Sequence, residues 1–350
     1  MGERANYQPL LRKKAKGMIL VTGGTGLVGS HLIFELTKQG KQIKALKRSS
    51  SRVSLVESLI KAYSTAFESQ LKLIEWVDGN VEDYHSIINA LNGVDEVYHC
   101  AAMVSFSKRD VHRMLEINVQ GTANLVDACL EKRVKKFCFV SSVAAMGSSP
   151  DGGPVDETTL WGKSKGKSGY AVSKFRSEME VWRGIELGLN ATIVNPSVII
   201  GPGQWNSGSG LLFGTMAKGF PFYTLGITGY VDVRDVVMAM LTAMKKEMWA
   251  KRFLLNGENL THKEVFTAIA QEMGKKPPHI EVKIWMSNVA WPLAWFFSLF
   301  SKKAPALTKD TARSGHKKTY YSSELAKKEL GITFTPIEEA VKNTVRIGPL

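Results

Sequence analysis

Cysteine is scarce in this sequence of 350 residues: Cys100, Cys129 and Cys138 are the only three, and no two of them form a CxxC pair. An odd number of widely spaced thiols argues against a disulfide framework and a zinc site, and it is typical of a reducing compartment. We therefore expect no metal. The 12 prolines and 31 glycines follow no period, which excludes a collagen-like or low-complexity chain. With 44% hydrophobic and 22% charged residues, the composition is that of a globular protein.

An apolar leader is also missing. Residues 1–17 are polar and basic and lack the hydrophobic stretch that a secretory signal needs. We therefore expect a disordered basic extension over 1–17, a fold that starts at Met18, and a cytoplasmic protein.

One segment lacks charge altogether. Residues 284–301 contain no charged side chain, and lysines flank them on both sides. The segment is at the short end for a membrane span, and Asn288 and Pro292 argue against one. Its three tryptophans beside flanking lysines are typical of an interfacial helix. We favour a helix that belongs to a C-terminal lobe and packs on the substrate site. Peripheral contact with the inner face of a membrane through 284–303 is the alternative.

Acidic residues are the minority among the charges. There are 32 of them against 46 basic residues, which gives a net charge of +14. Such an excess is typical of proteins that meet nucleic acid, an anionic membrane surface or phosphate-bearing ligands. No nucleic-acid-binding module is recognisable and the basic residues are scattered over unrelated segments, so we expect no nucleic-acid partner.

Short apolar runs alternate with longer amphipathic stretches in the first part of the chain. Predicted strands lie at 18–22, 43–47, 71–77, 96–100, 136–141 and 191–200, and the predicted helices include 26–39 and 170–187. This alternation predicts an α/β fold, a doubly wound parallel sheet of the Rossmann type, over 18–200. The pattern becomes irregular after residue 200. It predicts a smaller, mixed substrate lobe over 201–350, of which 230–256 returns to the Rossmann core.

A glycine-rich turn follows the first predicted strand directly. In the sequence TGGTGLVG, Gly23, Gly26 and Gly29 have GxxGxxG spacing, at the strand–helix junction where dinucleotide-binding folds hold a pyrophosphate. Glycine permits the tight turn and the close approach of backbone to phosphate, and free amides at a helix start bind phosphate. We therefore expect Gly23, Thr25, Gly26, Leu27 and Gly29 to bind a dinucleotide.

The end of the second predicted strand has no acidic residue. No Asp or Glu occurs between Glu35 and Glu57, whereas 38–52 contains six basic side chains. A carboxylate at this place would accept the ribose 2′-hydroxyl of NAD, and a basic side chain accommodates the 2′-phosphate of NADP. We predict NADP(H) as the preferred cofactor, with Arg48 as its main contact. NAD(H) is the alternative cofactor, and a solvated basic loop is the alternative interpretation.

Tyr170 and Lys174 are four residues apart in the predicted helix 170–187, so they lie on one face. A tyrosine has an ordinary pKa near 10, and a neighbouring ammonium favours the phenolate and lowers that pKa. The pair is therefore a candidate for acid–base catalysis. Ser141 and Ser142 end a preceding strand, and Asn118 lies in the helix before that strand.

Together these motifs resemble the extended short-chain dehydrogenases/reductases (the NAD-dependent epimerase/dehydratase family), above all the branch of dihydroflavonol 4-reductases and 3β-hydroxysteroid dehydrogenases. HCAA at 99–102, NPSV at 195–198 and YVDVRD at 230–235 match that family in order and spacing, and the match runs from Met18 to about Gly331.

The resemblance implies a role for each matching residue. Tyr170 is expected to be the catalytic acid/base, Lys174 to bind the nicotinamide ribose and tune Tyr170, and Ser142 to hold the substrate oxygen. Asn118 is expected to support a proton relay. The other cofactor contacts that the resemblance implies are Asn80, Val81, Ala101, Ala102, Pro196 and Val198.

Two positions depart from the family pattern. Gly-Asn at 79–80 stands in place of Gly-Asp, so an amide and not a carboxylate is expected to meet the adenine. Ala-Met-Gly at 145–147 stands in place of Val-Tyr-Gly, so the substrate pocket lacks a phenol.

Two enzyme types fit these motifs. One is an NADP(H)-dependent oxidoreductase that interconverts a carbonyl and an alcohol, and the other is a nucleotide-sugar epimerase or dehydratase with tightly bound NAD(P). Thr228 and Gly229 stand where sugar-nucleotide members carry the Arg-Asp whose arginine clamps a pyrophosphate, which favours the oxidoreductase. A cofactor-binding sensor or scaffold without turnover is a third possibility.

The expected substrate of the oxidoreductase is a small, hydrophobic molecule. The resemblance and the apolar side chains near its motifs predict substrate contacts, and the expected assembly is a homodimer. The predicted contacts are Met103, Ser105, Ser142 and Trp205.

Overall fold

The computed structural model describes residues 17–149, 152–164, 166–288 and 313–350. The basic extension predicted over 1–17 lies outside the described residues apart from Gly17. The same holds for most of the apolar segment 284–303, of which residues 284–288 are described. The predicted membrane contact and the predicted homodimer therefore stay predictions. In the described part of the chain, no helix is both long and apolar enough to cross a membrane.

Parallel strands form the main sheet. In chain order the strands are β1 (Met18–Thr22), β2 (Ile43–Lys47), β3 (Ile74–Asp78), β4 (Val94–His99), β5 (Lys136–Val140), β6 (Ala191–Pro196), β7 (Val198–Ile200), β8 (Phe222–Tyr223), β9 (Ile227–Asp232), β10 (Lys251–Leu255), β11 (Glu258–Thr261) and β12 (Ile280–Glu281). Seven of the described strands pair side by side in the order β10-β6-β5-β4-β1-β2-β3. All six pairings are parallel. This order, with crossovers on both sides of β1, is that of a doubly wound sheet.

Helices cover both faces of this sheet. They are α1 (Leu27–Lys38), α2 (Ser54–Tyr63), α3 (Phe67–Leu71), α4 (Tyr84–Ala90), α5 (Val111–Met114), α6 (Gly121–Glu131), α7 (Gly169–Glu186), α8 (Gly210–Ala217), α9 (Val233–Lys245), α10 (His262–Glu272) and α11 (Ile337–Ile347). The apolar stripes of α1, α2 and α9 pack on one face, and those of α4, α6 and α7 pack on the other. The predicted α/β fold of the Rossmann type is confirmed, because parallel strands buried on both faces need helices on each side.

A smaller, mixed part follows the main sheet in sequence. It contains the three-stranded sheet β11-β9-β7 and the short pair β12-β8. Apolar side chains of α8, α10 and α11 form its core, around Phe213 and Tyr230. Residues 251–255 leave it and add β10 to the edge of the main sheet, next to β6.

The predicted strand 191–200 is two strands in the structure. β6 ends at Pro196 and pairs with β5 and β10, whereas β7 begins at Val198 and pairs with β9 of the smaller sheet. The break falls at Ser197 because proline has no N–H to donate, and such a residue terminates a ladder in the middle of a sheet. The chain thus passes from one sheet to the other beside the carboxyl ends of the strands, where α/β proteins bind their ligands.

Candidate active site

The glycine-rich turn brings β1 and α1 close to the end of β4. Gly23 has φ +68°, and a Cβ on it would lie 2.5 Å from the backbone nitrogen of Ala101. A Cβ on Gly29 would lie 2.2 Å from the carbonyl oxygen of Gly23, so Gly29 lets the helix pack on the turn. Within the described residues no side chain caps α1, and its first turn has no acidic residue. The amides at this helix start are therefore suited to a phosphate.

Replacing Gly23 by alanine tests this close approach. We expect Gly23→Ala to lower the free energy of unfolding by more than the ~1–3 kcal/mol that a strained backbone costs, because the new methyl group also collides with Ala101. Gly40→Ala is the matched control, since Gly40 has φ +70° with nothing within 4 Å of its Cβ position. Urea unfolding of both variants measures the difference. Equal losses would mean that the contact with Ala101 has no energetic importance.

A cavity of about 440 Å³ opens beside this turn. Predicted cofactor or substrate residues make up most of its lining: Gly23, Thr25, Gly26, Arg48, Asn80, Val81, Ala101, Ala102 and Met103. The remaining lining residues are not among the predicted cofactor or substrate contacts; they are Thr22, Leu46, Ser51, Gly79, Cys100 and Ile117. Most of these are direct neighbours of predicted residues in the chain, so the strand-end motifs could have pointed to them.

Arg48 stands at the end of β2 without a salt bridge to any carboxylate in the described residues, although acidic groups lie near it. Lys47 pairs with Asp78. Glu82 pairs with Arg113, whose Nη2 donates to Glu82 Oε2 at 2.7 Å. These pairings leave the guanidinium of Arg48 available to a ligand in the cavity.

Asn80, which stands in place of the family's aspartate, forms two hydrogen bonds with Glu82. Its Nδ2 donates to Glu82 Oε2 at 3.0 Å, and its Oδ1 accepts from the backbone nitrogen of Glu82 at 3.3 Å. The amide of Asn80 and the guanidinium of Arg113 hold the pKa of the Glu82 carboxyl below its usual range, against the effect of burial, which raises it. A carboxylate is thus present near this end of the cavity, two residues from its usual place.

Tyr170 and Ser142 lie together at the carboxyl ends of the strands. Ser142 follows β5 directly, and Tyr170 lies in the first turn of α7, which Ser168 caps by accepting from the backbone nitrogen of Ala171 at 3.1 Å. Burial raises the pKa of Tyr170, and a side-chain hydrogen bond with Ser142 lowers it by less. The ring of Phe106 meets the Tyr170 ring edge to face, with the ring centroids 6.0 Å apart.

Lys174 makes contacts that its spacing from Tyr170 did not predict. Its Nζ donates to the carbonyl oxygen of Val140 at 2.7 Å and lies 4.6 Å from the centroid of Phe139. Burial lowers the pKa of Lys174 to about 8, while the carboxylate of Glu178 raises it. Burial is thus the larger effect on the pKa of Tyr170, and the tuning of Tyr170 by Lys174 stays a prediction.

Asn118 joins the helix before β5 to the loop after β4. Its Nδ2 donates to Met103 O at 2.9 Å and to Ser173 Oγ at 3.0 Å, and its Oδ1 accepts from Met103 N at 2.7 Å. Asn118 lies in a π-helical turn, Leu115–Gln120, and such turns often occur at functional sites. Asn118 therefore fixes the cavity-lining Met103 against α7.

The remaining predicted cofactor residues lie at the ends of secondary-structure elements. Pro196 ends β6 and Val198 begins β7 at the passage between the two sheets. Leu27 starts α1 and packs toward Gly203, since a Cβ on Gly203 would lie 3.2 Å from Leu27 Cδ1.

Two predicted substrate contacts have other partners in the structure. The hydroxyl of Ser105 donates to Asp110 Oδ2 at 2.5 Å and accepts from the backbone nitrogen of Ser107 at 3.1 Å. The indole of Trp205 stacks on Phe213 at a centroid distance of 5.8 Å and belongs to the core of the smaller part. The roles of Ser105 and Trp205 as substrate contacts stay predictions.

Together the sheet order, the glycine turn, the cavity and the Ser142–Tyr170–Lys174 group define a dinucleotide-binding enzyme of the Rossmann type. The family model described as "NAD dependent epimerase/dehydratase family" matches residues 19–253, more than half of the chain. This chain belongs to the NAD dependent epimerase/dehydratase family, which is the extended short-chain dehydrogenase/reductase family that the motifs resemble. It is accordingly an enzyme of the NAD(P)-dependent oxidoreductase/epimerase/dehydratase type.

Several known proteins are similar over nearly the whole chain. A protein of Synechocystis sp. that is provisionally named dihydroflavonol 4-reductase is 29% identical over 336 residues, which cover 93% of this chain and 92% of the relative. Sterol demethylase protein B of Methylococcus capsulatus is 29% identical over 334 residues, covering 93% of this chain and 96% of the relative. The crystal structure of gox2253 is 32% identical, with a TM-score of 0.78 and coverage of 95% of this chain and 98% of that one.

Proposed function

We propose that this protein is an NADP(H)-dependent reductase that interconverts a carbonyl and an alcohol on a small, hydrophobic substrate. The observation that carries the proposal is that Ser142 acts on the Tyr170 phenol at the carboxyl ends of the strands. The lining of the cavity beside the glycine-rich turn adds Arg48, a cation that forms no salt bridge within the described residues. The cofactor supplies a hydride when bound.

The residues of the chain supply the proton. In the reduction, the Tyr170 hydroxyl donates its proton to the carbonyl oxygen while the Ser142 hydroxyl holds that oxygen by a hydrogen bond. A raised pKa keeps Tyr170 protonated at neutral pH, so the phenol is ready to act as an acid. In the oxidation direction Tyr170 must accept a proton, and the positive charge of Lys174 assists that step when its ammonium approaches the phenol.

The preference for NADP(H) rests on the charges near Arg48. Asp78 and Glu82, the acidic groups on the neighbouring segments, are held by Lys47, Arg113 and Asn80. A guanidinium without a carboxylate partner suits a phosphate, which it can bind by two parallel hydrogen bonds.

The reductase activity is favoured over a sugar-nucleotide activity by the packing at Gly229. A Cβ on Gly229 would lie 2.1 Å from Asn256 Oδ1 and 2.9 Å from the Cβ of Ser197. A longer side chain at this position, such as the aspartate of sugar-nucleotide members, would require Asn256 to move. The preceding residue is Thr228, which cannot clamp a pyrophosphate as arginine does.

The side chains nearest the phenol support a hydrophobic substrate. Phe106 is 48% exposed, contacts Tyr170 by its ring, and thus offers an aromatic surface beside the reacting group. Two of the similar proteins are named after dihydroflavonol and sterol chemistry, and both compounds have a polycyclic skeleton. We propose the same substrate class for this chain.

Replacing Arg48 tests the cofactor preference. We expect wild-type protein to bind NADPH more tightly than NADH, and Arg48→Ala to weaken NADPH binding by about 10- to 100-fold while leaving NADH nearly unchanged, as the loss of hydrogen bonds to a charged group predicts. Fluorescence titration with both cofactors measures this. Arg52→Ala is the control, because it removes the same charge outside the cavity lining. Tighter binding of NADH by the wild type would overturn the proposal for Arg48.

A further inference from the structure

A buried carboxylate lies on the same helix as Tyr170 and Lys174. Glu178 is on α7, one helical turn after Lys174 and two turns after Tyr170, and its residue exposure is 0%. A buried charge is unfavourable unless partners satisfy it, and replacing such a pair by apolar residues is often neutral or stabilising. The presence of Glu178 at this place therefore calls for a reason other than stability.

Four donors surround the Glu178 carboxylate. Its Oε2 accepts from Ser141 Oγ at 2.7 Å and from Asn195 Nδ2 at 2.8 Å. Its Oε1 accepts from Arg252 Nη1 at 3.1 Å and from Trp182 Nε1 at 3.4 Å. These partners come from the end of β5, from β6, from β10 and from α7 itself, so one carboxylate joins three neighbouring strands to the helix that carries Tyr170.

Two of these contacts lead to Ser142. Ser141 directly precedes it, and Asn195 Nδ2 also donates to the carbonyl oxygen of Ser142 at 3.1 Å. The backbone on both sides of the Ser142 side chain is thus fixed relative to α7. A hydroxyl held in this way keeps its direction toward Tyr170, which matters because small misplacements of reacting groups are costly to rate.

The same carboxylate acts electrostatically on the ammonium of Lys174, which lies one helical turn earlier on α7. The charged and titratable groups around Lys174 are Glu178 and Tyr170 on its own helix and Cys100 and His99 from the end of β4. Burial raises the pKa of Cys100 to about 12 and lowers that of His99 to about 3, so both are neutral at pH 7. Glu178 is then the anionic group of this set that stabilises the charged form of Lys174.

We propose that Glu178 is a positioning residue of this active site, which orients Ser142 through Ser141 and Asn195 and provides the negative charge that acts on Lys174. The expected effect on turnover rests on the proposed function. The expected effect on the pKa of Lys174 does not, because it needs only the negative charge of Glu178. No contact of Glu178 with substrate or cofactor is needed.

The experiment compares Glu178→Gln with Glu180→Gln. Both substitutions remove one carboxylate from α7, but Glu180 pairs with Arg183 away from the proposed reacting groups. With NADPH and the carbonyl compound that the wild type reduces fastest, we expect Glu178→Gln to lower kcat by about 10- to 100-fold, with KM for NADPH nearly unchanged. The high-pH limb of its kcat profile should move to lower pH. Glu180→Gln should behave as the wild type.

A second measurement does not depend on turnover. In protein labelled with ¹³C at the lysine ε-carbon, and with the Lys174 signal assigned from Lys174→Met, the pKa of Lys174 should fall by about one pH unit in Glu178→Gln and stay unchanged in Glu180→Gln. If the wild type reduces no carbonyl compound, the proposed function fails while this titration still tests the charge effect. An unchanged Lys174 pKa in Glu178→Gln overturns the proposal, and so does an unchanged kcat in an active enzyme.

Glu178→Gln leaves Arg252 without its carboxylate and could impair folding. The double variant Glu178→Gln/Arg252→Met removes both charges and should restore the thermal midpoint of unfolding toward that of the wild type. We expect it to keep the low kcat and the lowered Lys174 pKa. Recovery of wild-type kcat together with stability would show that Glu178 serves folding alone and would contradict the proposal.

Discussion

Tyr170→Phe should lower the turnover of NADPH with a carbonyl substrate by about 1,000-fold, because a positioned acid contributes of the order of 10²- to 10⁴-fold to such a reaction. Binding of NADPH should stay within about twofold of the wild type, since phenylalanine keeps the ring and its contact with Phe106. Stopped-flow absorbance at the NADPH band measures the first quantity, and fluorescence titration measures the second.

The control for this variant is Tyr84→Phe. Tyr84 donates a hydrogen bond to Glu131 on the surface and lies on α4, which carries none of the predicted site residues. It should turn over NADPH as the wild type does. Turnover that survives in Tyr170→Phe would refute the proposed acid, and a wild type without turnover that nevertheless binds NADPH would favour the sensor or scaffold alternative.

Lys174→Met should have the second-largest effect, and its effect on stability should have the opposite sign to its effect on activity. We expect turnover to fall by about 100-fold or more, because the chain loses the ammonium beside the proposed acid. At pH 7, however, the wild type bears the cost of a buried ammonium, and lowering the pKa of Lys174 from 10.5 to about 8 corresponds to about 3 kcal/mol.

The pH dependence of this cost has a definite direction. Between pH 8 and 10.5 the unfolded chain binds more protons at Lys174 than the folded protein, so the stability of the wild type rises with pH in this window. The unfolding free energy of Lys174→Met minus that of the wild type should therefore fall by about 2–3 kcal/mol between pH 7 and pH 10. Urea unfolding at both pH values tests this, with the exposed Lys72→Met as control. A difference that does not change with pH would contradict the buried-ammonium account.

Much of the fold could be predicted because its signals are local. The glycines at 23, 26 and 29 must occur where backbone meets backbone, and the structure shows that contact at Gly23 and Gly29. The alternation of apolar runs and amphipathic stretches specifies a parallel sheet before any contact is known. The end of β2 could likewise be recognised as basic from the sequence alone.

The side-chain partners could not be predicted, since they depend on distant segments. The spacing of Tyr170 and Lys174 places both on one face of α7, but it does not show that Val140 binds the ammonium. Ser105 is polar and near the predicted site residues in sequence, but its hydroxyl donates a hydrogen bond to Asp110. The role of Glu178 depends on Arg252, which is 74 residues away in the chain and reaches it only through the pairing of β10 with β6.

The fate of the hydride tests the proposed function most directly. The protein is incubated with NADPH carrying deuterium at C4 and with aromatic and alicyclic ketones and aldehydes, and in parallel with UDP-sugars. The proposed reductase produces an alcohol that contains deuterium, together with an equal amount of NADP⁺. Formation of an epimerised or dehydrated sugar nucleotide without net oxidation of the cofactor would contradict the proposal.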